Sequence, residues 1–172
     1  MPSLHRPIGP TTSAGGCEQN LHMSDDNIWT DDWDEGEDWS GGGSKSKRLP
    51  RAEQLGATVY ELGPGNFLIY HFHHAAEEML VVLDGEMTLK TEDGERPVRR
   101  GEVVLFPVGP EGAHGFRNDG DSACRYLMVS THPVPEVAEY PELGQITVQG
   151  KTGSQTGERL WFIHDVPKDA AG

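Results

Sequence analysis

The chain has 172 residues, enough for one domain with a real core and too few for two large ones. Its 28 acidic against 14 basic residues leave a formal charge of -14, which excludes nucleic acid and anionic membranes as expected partners, because both are held by basic patches. No apolar run reaches membrane-spanning length, no basic-then-apolar leader opens the chain, and Cys17 and Cys124 make no disulfide framework, so a soluble cytoplasmic protein is expected.

Residues 1–22 are rich in Pro, Thr, Ser and Gly without periodicity and read as disordered; Met23 offers an alternative start of translation. Residues 24–39 set Trp29, Trp33 and Trp39 among many acids, and a Gly-rich stretch and the basic Lys45, Lys47 and Arg48 follow. The indoles belong either to a solvated acidic arm or to one that docks on the rest of the chain or on a second subunit. Three segments result: an acidic arm over 1–48, a barrel over 49–149, and a C-terminal hairpin strand and tail over 150–172.

From Ala57 onward short β-rich runs alternate with turn residues: 57–62, 66–73, 78–83, 86–91, 103–107, 114–118 and 124–131. This spacing predicts an all-β sandwich or barrel. Asp84-Gly85 and Asp93-Gly94 predict tight hairpins, since both dipeptides tolerate positive φ. Pro133, Pro135 and Pro141 interrupt the pattern, with at most a short helical turn over 136–140, and runs at 145–149 and 160–164 predict a C-terminal hairpin. Outward-facing Leu68, Tyr70 and Phe72 would form an apolar patch, so a homodimer is expected.

The chemistry concentrates in His71-Phe72-His73, Glu78 and His114. Alternate residues of a strand share a face, so His71 and His73 point the same way, and a short connection returns Glu78 beside them. Alternation turns Glu77 and His74 outward. His114 must be brought in by the closure of a barrel. Three imidazoles and one carboxylate suit a transition ion such as Fe, Mn, Ni, Cu, Co or Zn better than Ca or Mg; the alternative is a polar cluster satisfied by its own hydrogen bonds. Phe67, Ile69 and Phe116 would wall an apolar pocket around the site, or simply pack the core. Arg125 facing inward would suit an anionic substrate, and facing outward would be a surface cation.

Gly65, His71, His73, Glu78 and Gly85 resemble the first motif of the cupin superfamily, and Gly101, Pro107, Gly109, His114 and Asn118 resemble the second. The second departs from the family's spacing, with four residues (Pro110 to Ala113) rather than two before the histidine. The likeness is greatest to small single-domain cupins of unassigned reaction. It implies a jelly-roll barrel and a metal held by His71, His73, Glu78 and His114. The function expected from it is a metal-dependent enzyme of dioxygenase, isomerase or lyase type acting on a small organic molecule, the alternative being a non-catalytic module that binds or senses a sugar-like ligand. No separate general base stands out, and no catalytic residue is assigned.

Overall fold

The computed structural model describes residues 27–34, 44–151 and 159–166. Its strands are β1 (Ser44–Arg48), β2 (Leu55–Leu62), β3 (Phe67–His73), β4 (Glu78–Asp84), β5 (Glu86–Thr91), β6 (Gly94–Arg99), β7 (Val103–Phe106), β8 (His114–Arg117), β9 (Cys124–Thr131), β10 (Glu136–Tyr140), β11 (Gln145–Lys151) and β12 (Arg159–Asp165), with one 3-10 turn at Pro110–Gly112. They form two antiparallel sheets, ordered β1-β2-β9-β4-β7 and β12-β11-β10-β3-β8-β5-β6. No helix of the described residues is long and apolar enough to cross a membrane.

The core lies between the sheets. Leu62, Leu80, Val82, Cys124, Tyr126 and Met128 come from one sheet, and Met87, Leu89, Val98 and Phe116 from the other. Strands β4, β5 and β9 contribute alternate residues, so in them the period-two pattern legible in the sequence is the pattern that is buried. On β9 it is Cys124, Tyr126 and Met128 that face in, and Arg125 faces out. A buried leucine such as Leu80 or Leu89 stabilises this packing by about 2–5 kcal/mol relative to alanine.

Several local expectations are corrected. Asp93-Gly94 closes the β5–β6 hairpin, but Asp84-Gly85 does not close another, because β4 and β5 belong to different sheets. The chain turns a corner there instead. Gly85 has φ +81°, and a Cβ on it would stand 3.0 Å from the Ala123 carbonyl oxygen and 3.1 Å from Cys124 Cα. Residues 136–140 form strand β10 rather than a helical turn: Glu136, Ala138 and Tyr140 are buried in strict alternation, and the strand pairs with both β3 and β11.

The outward apolar patch expected on β3 is absent. Leu68 pairs with Phe116 and His71 with His114, so β3 spends one residue more than β8 between these pairs. That irregularity changes the parity of the strand and lets both Leu68 and His71 face the interior. Phe72 is buried as well, with β10 alongside at Glu139 and the His74 ring 5.0 Å away. Among the described residues the large exposed apolar side chains include Phe67 at the start of β3, Val103 and Leu105 on β7, and Leu160, Trp161, Phe162 and Ile163 together on the edge strand β12.

Part of the acidic arm docks on the barrel. Asp34 bridges to Ser46 of β1, which pairs with β2 and so supplies the edge of the five-stranded sheet. The buried ammonium of Lys47 donates to Asp32 Oδ1 (2.6 Å), Thr30 Oγ1 and the Asn27 carbonyl (3.1 Å). Those bonds from Lys47 and Thr30 hold the Asp32 carboxyl at about 2. Arg125 donates to Glu61 Oε2 (2.9 Å) and Asp31, with its guanidinium 4.8 Å over the Trp33 ring. Arg125 is therefore a surface cation that anchors the arm. Trp33 takes part in the docking and Trp29 stays exposed; Trp39 lies outside the described residues.

Candidate functional site

The site sits between the two sheets, at the end where β3 finishes and β4 begins. His71 and His73 of β3 and His114 of β8 come from the seven-stranded sheet, and Glu78 of β4 comes from the five-stranded one. Pairing of His71 with His114 puts their rings 4.7 Å apart. Residues 74–77 cross from one sheet to the other and deliver Glu78 opposite the imidazoles. One ligand atom each from His71, His73 and Glu78 lie within 4.8 Å of one another. His114 joins through Glu78, its Nε2 standing 3.2 Å from Oε2.

The longer loop before His114 does not displace it. Pro110–Gly112 wind into the 3-10 turn, Gly109 accommodates φ +94°, and its N–H donates to the His73 carbonyl at 2.8 Å. The Gly112 carbonyl then accepts the Nδ1–H of His114 at 2.9 Å. The residues that lengthen the motif thus hold the histidine in place. Asn118 has a purely structural part: fully buried, it donates to the carbonyls of Leu62 (2.7 Å) and Ser122 (2.9 Å) and accepts the Gly120 N–H (2.9 Å).

Each imidazole is oriented through Nδ1. His71 donates to the Ile69 carbonyl at 2.8 Å, His114 to Gly112, and His73 to Glu136 Oε1 at 3.2 Å. That fixes Nε2 as the nitrogen turned toward the site. His73 Nε2 and His114 Nε2 are buried and without aligned hydrogen bonds, although both approach the same carboxylate oxygen, Glu78 Oε2, at 3.4 and 3.2 Å. One proton on His73 Nε2 can be shared with Glu78, but it does not serve His114 Nε2. His71, His73 and Glu78 form a group that could hold a metal ion, and their donor chemistry fits a divalent transition ion; His114 lies beside that group, against Glu78.

The electrostatics follow from burial and crowding. Burial, helped by repulsion from His114 and His73, lowers the His71 pKa to about 3, so this ring is neutral and ready to act as a ligand. Burial would also lower that of His73, but the hydrogen bond to Glu136 and the nearby Glu78 and Glu136 carboxylates override it and raise the value to about 9. Burial raises the pKa of Glu78, yet the His114 and His73 rings close beside its carboxylate outweigh this and hold it well below the usual range. Glu77 is exposed and turned away, and His74 pairs at the surface with Glu139 Oε2 at 3.0 Å.

The expected pocket walls are partly replaced. Phe116 is buried 5.5 Å from the His114 ring, as anticipated. Phe67, however, is 46% exposed at the start of β3, because the irregularity in that strand puts Leu68 inward instead. Ile69 is half-buried and contributes its carbonyl rather than its side chain. Phe106 stacks on His114 at 3.9 Å, and Tyr140 stacks on His71 at 5.5 Å. The sequence does not single out Glu136 and Tyr140, because the prolines around 136–140 point to a short turn; the alternation of Glu136, Ala138 and Tyr140 is the available signal.

Residues 58–130 match the family model of the cupin domain. Among curated proteins, Protein SchB of Streptomyces halstedii is 31% identical over 86 residues and Polyketide synthase CurC of Streptomyces cyaneus 28% over 100 residues. These alignments cover 50% and 55% of this chain, and only 58% and 61% of the two relatives. Among solved structures, a sugar phosphate isomerase of the cupin superfamily from Silicibacter pomeroyi superposes with TM-score 0.62 and 26% identity, covering 76% of this chain and 84% of that one. A putative sugar phosphate isomerase from Acidithiobacillus ferrooxidans does so with TM-score 0.57 and 27% identity, over 69% and 76%. With both motifs in place on a two-sheet antiparallel barrel, residues 58–130 of the chain form a cupin domain.

Proposed function

We propose that the protein is a metal-dependent cupin enzyme, with the ion held by His71, His73, Glu78 and His114, that carries out an isomerase-type reaction on a small carbonyl compound of the sugar class. The observation that carries the metal reading is the convergence of two buried, unbonded Nε2 atoms on one oxygen of Glu78. Fe, Mn, Ni, Cu, Co or Zn would supply a Lewis acid that polarises a carbonyl oxygen. The chain supplies the rest. Glu78 would offset the charge of a bound ion, His71 stays neutral, and Phe106 and Phe116 pack against His114 and would keep water from that side. The isomerase assignment draws on the two sugar phosphate isomerase structures, which resemble this chain over more than two thirds of its length.

Elemental analysis of protein purified without chelator should find a divalent transition ion, lost in His73→Ala. Metal content unchanged in that variant would refute the site. The metal-loaded protein incubated with aldose and ketose phosphates, followed by NMR, should interconvert at least one pair. Ligand-induced thermal shifts without turnover across the series would instead favour the non-catalytic binding module. The expected homodimer would use β12, an edge strand with apolar side chains exposed on both faces.

A further inference from the structure

His73 differs from the other two imidazoles in what stands behind its ring. His71 and His114 each give Nδ1–H to a backbone carbonyl, at 2.8 and 2.9 Å, whereas His73 gives it to the carboxylate of Glu136 at 3.2 Å. Glu136 is 8% exposed and belongs to β10, beyond the residues that match the family model. Ala138 of the same strand pairs with His73, so Glu136 reaches the ring from two residues along the inward face. Nδ1 and Nε2 lie on opposite edges of an imidazole, and the Nε2 of His73 faces Glu78. Glu136 is therefore behind the ring and outside the donor set.

We propose that Glu136 is a positioning residue that fixes the tautomer and orientation of His73 and makes it the most electron-rich imidazole of the site. A carboxylate behind an imidazole ligand holds the ring with Nε2 forward and increases its basicity, and loss of such a partner lowers metal affinity about 10–100-fold. A backbone carbonyl, as at His71 and His114, orients the ring without adding a full charge. The neighbouring Glu139 provides an internal control, since it is on the same strand but pairs with the outward His74.

The role rests on the metal reading proposed above, and the test separates the two. Zinc affinity of the full chain is measured by competition with a chromophoric chelator for the wild type, Glu136→Ala, Glu136→Gln and Glu139→Gln. Glu136→Ala should bind about 10–100-fold more weakly. Glu136→Gln, which keeps an oxygen for Nδ1–H but loses the charge, should lose less, and Glu139→Gln should match the wild type. Long-range 1H–15N spectra of the zinc-loaded proteins should show His73 protonated at Nδ1 in the wild type and in Glu136→Gln, with that signature weakened or lost in Glu136→Ala. Wild-type binding with unchanged affinity and tautomer in Glu136→Ala would overturn the role of Glu136 alone; a wild type that binds no zinc or other transition ion would overturn the metal reading and this role with it.

Discussion

Replacing Gly112 with alanine should damage both stability and metal binding, because this glycine couples the turn before His114 to the imidazole. A Cβ on Gly112 would lie 1.8 Å from the Pro107 carbonyl oxygen, 2.9 Å from its carbon and 3.1 Å from its nitrogen. All three are backbone atoms, so no side chain can swing aside. To restore a tolerable contact of roughly 3.0 Å, the two segments must separate by more than 1 Å, an overpacking strain of about 1–3 kcal/mol. Such a shift moves the Gly112 carbonyl away from His114 Nδ1, now 2.9 Å from it, and loses a hydrogen bond that contributes about 1 kcal/mol. The combined loss, about 2–4 kcal/mol, should appear in urea unfolding as a lower midpoint at unchanged slope. Zinc affinity should fall by at least about tenfold as His114 loses its orientation. Gly150→Ala is the control, since its nearest neighbours are side-chain atoms at 3.8–3.9 Å. A Gly112→Ala protein with wild-type midpoint and wild-type zinc affinity would refute the coupling of turn to ligand.

Asn118→Ala should cost about 3 kcal/mol, because the Leu62 and Ser122 carbonyls and the Gly120 N–H each lose a partner; a loss below about 1 kcal/mol in urea unfolding would contradict that role. In metal-free protein the two β3 histidines act with opposite signs around their ordinary value of 6.5. His73, raised to about 9, adds stability that is complete below 6.5 and lost as the pH rises through 9, whereas the stability from His71, lowered to about 3, is present above 6.5 and lost as the pH falls toward 3. Thermal unfolding across this range should therefore show greatest stability near pH 6.5, with the alkaline decline reduced in His73→Gln; stability that rises from pH 6.5 to 9 would refute the assignment. Trp161→Glu, which puts a charge on the exposed edge strand β12, should convert the proposed dimer to monomer in light scattering; a wild type that is already monomeric would exclude the dimer.

How much of this was legible beforehand depended on how local the cause is. The β4 and β9 runs could be read because alternate burial leaves a period-two trace, and Glu78 was separable from Glu77 because one residue of shift reverses the face of a strand. The same logic failed within β3, where one extra residue relative to β8 reverses parity without any mark in composition. It put Leu68 inside and Phe67 at the surface. It failed also at Asp84-Gly85, since a dipeptide that permits positive φ does not specify whether the next strand pairs with the last or joins the opposite sheet.

The sequence by itself determined the cupin motifs and the all-β class, and it singled out His71, His73, Glu78 and His114 as candidates, because motif spacing and strand alternation are properties of adjacent residues. Only the tertiary structure decided that Glu136 stands behind His73, that Tyr140 and Phe106 stack on the other imidazoles, and that Arg125 and Lys47 hold the acidic arm. These contacts join residues far apart in the chain. Which distant strand lies alongside which is set by closure of the barrel and by burial summed over both sheets, and no short stretch of sequence carries that sum.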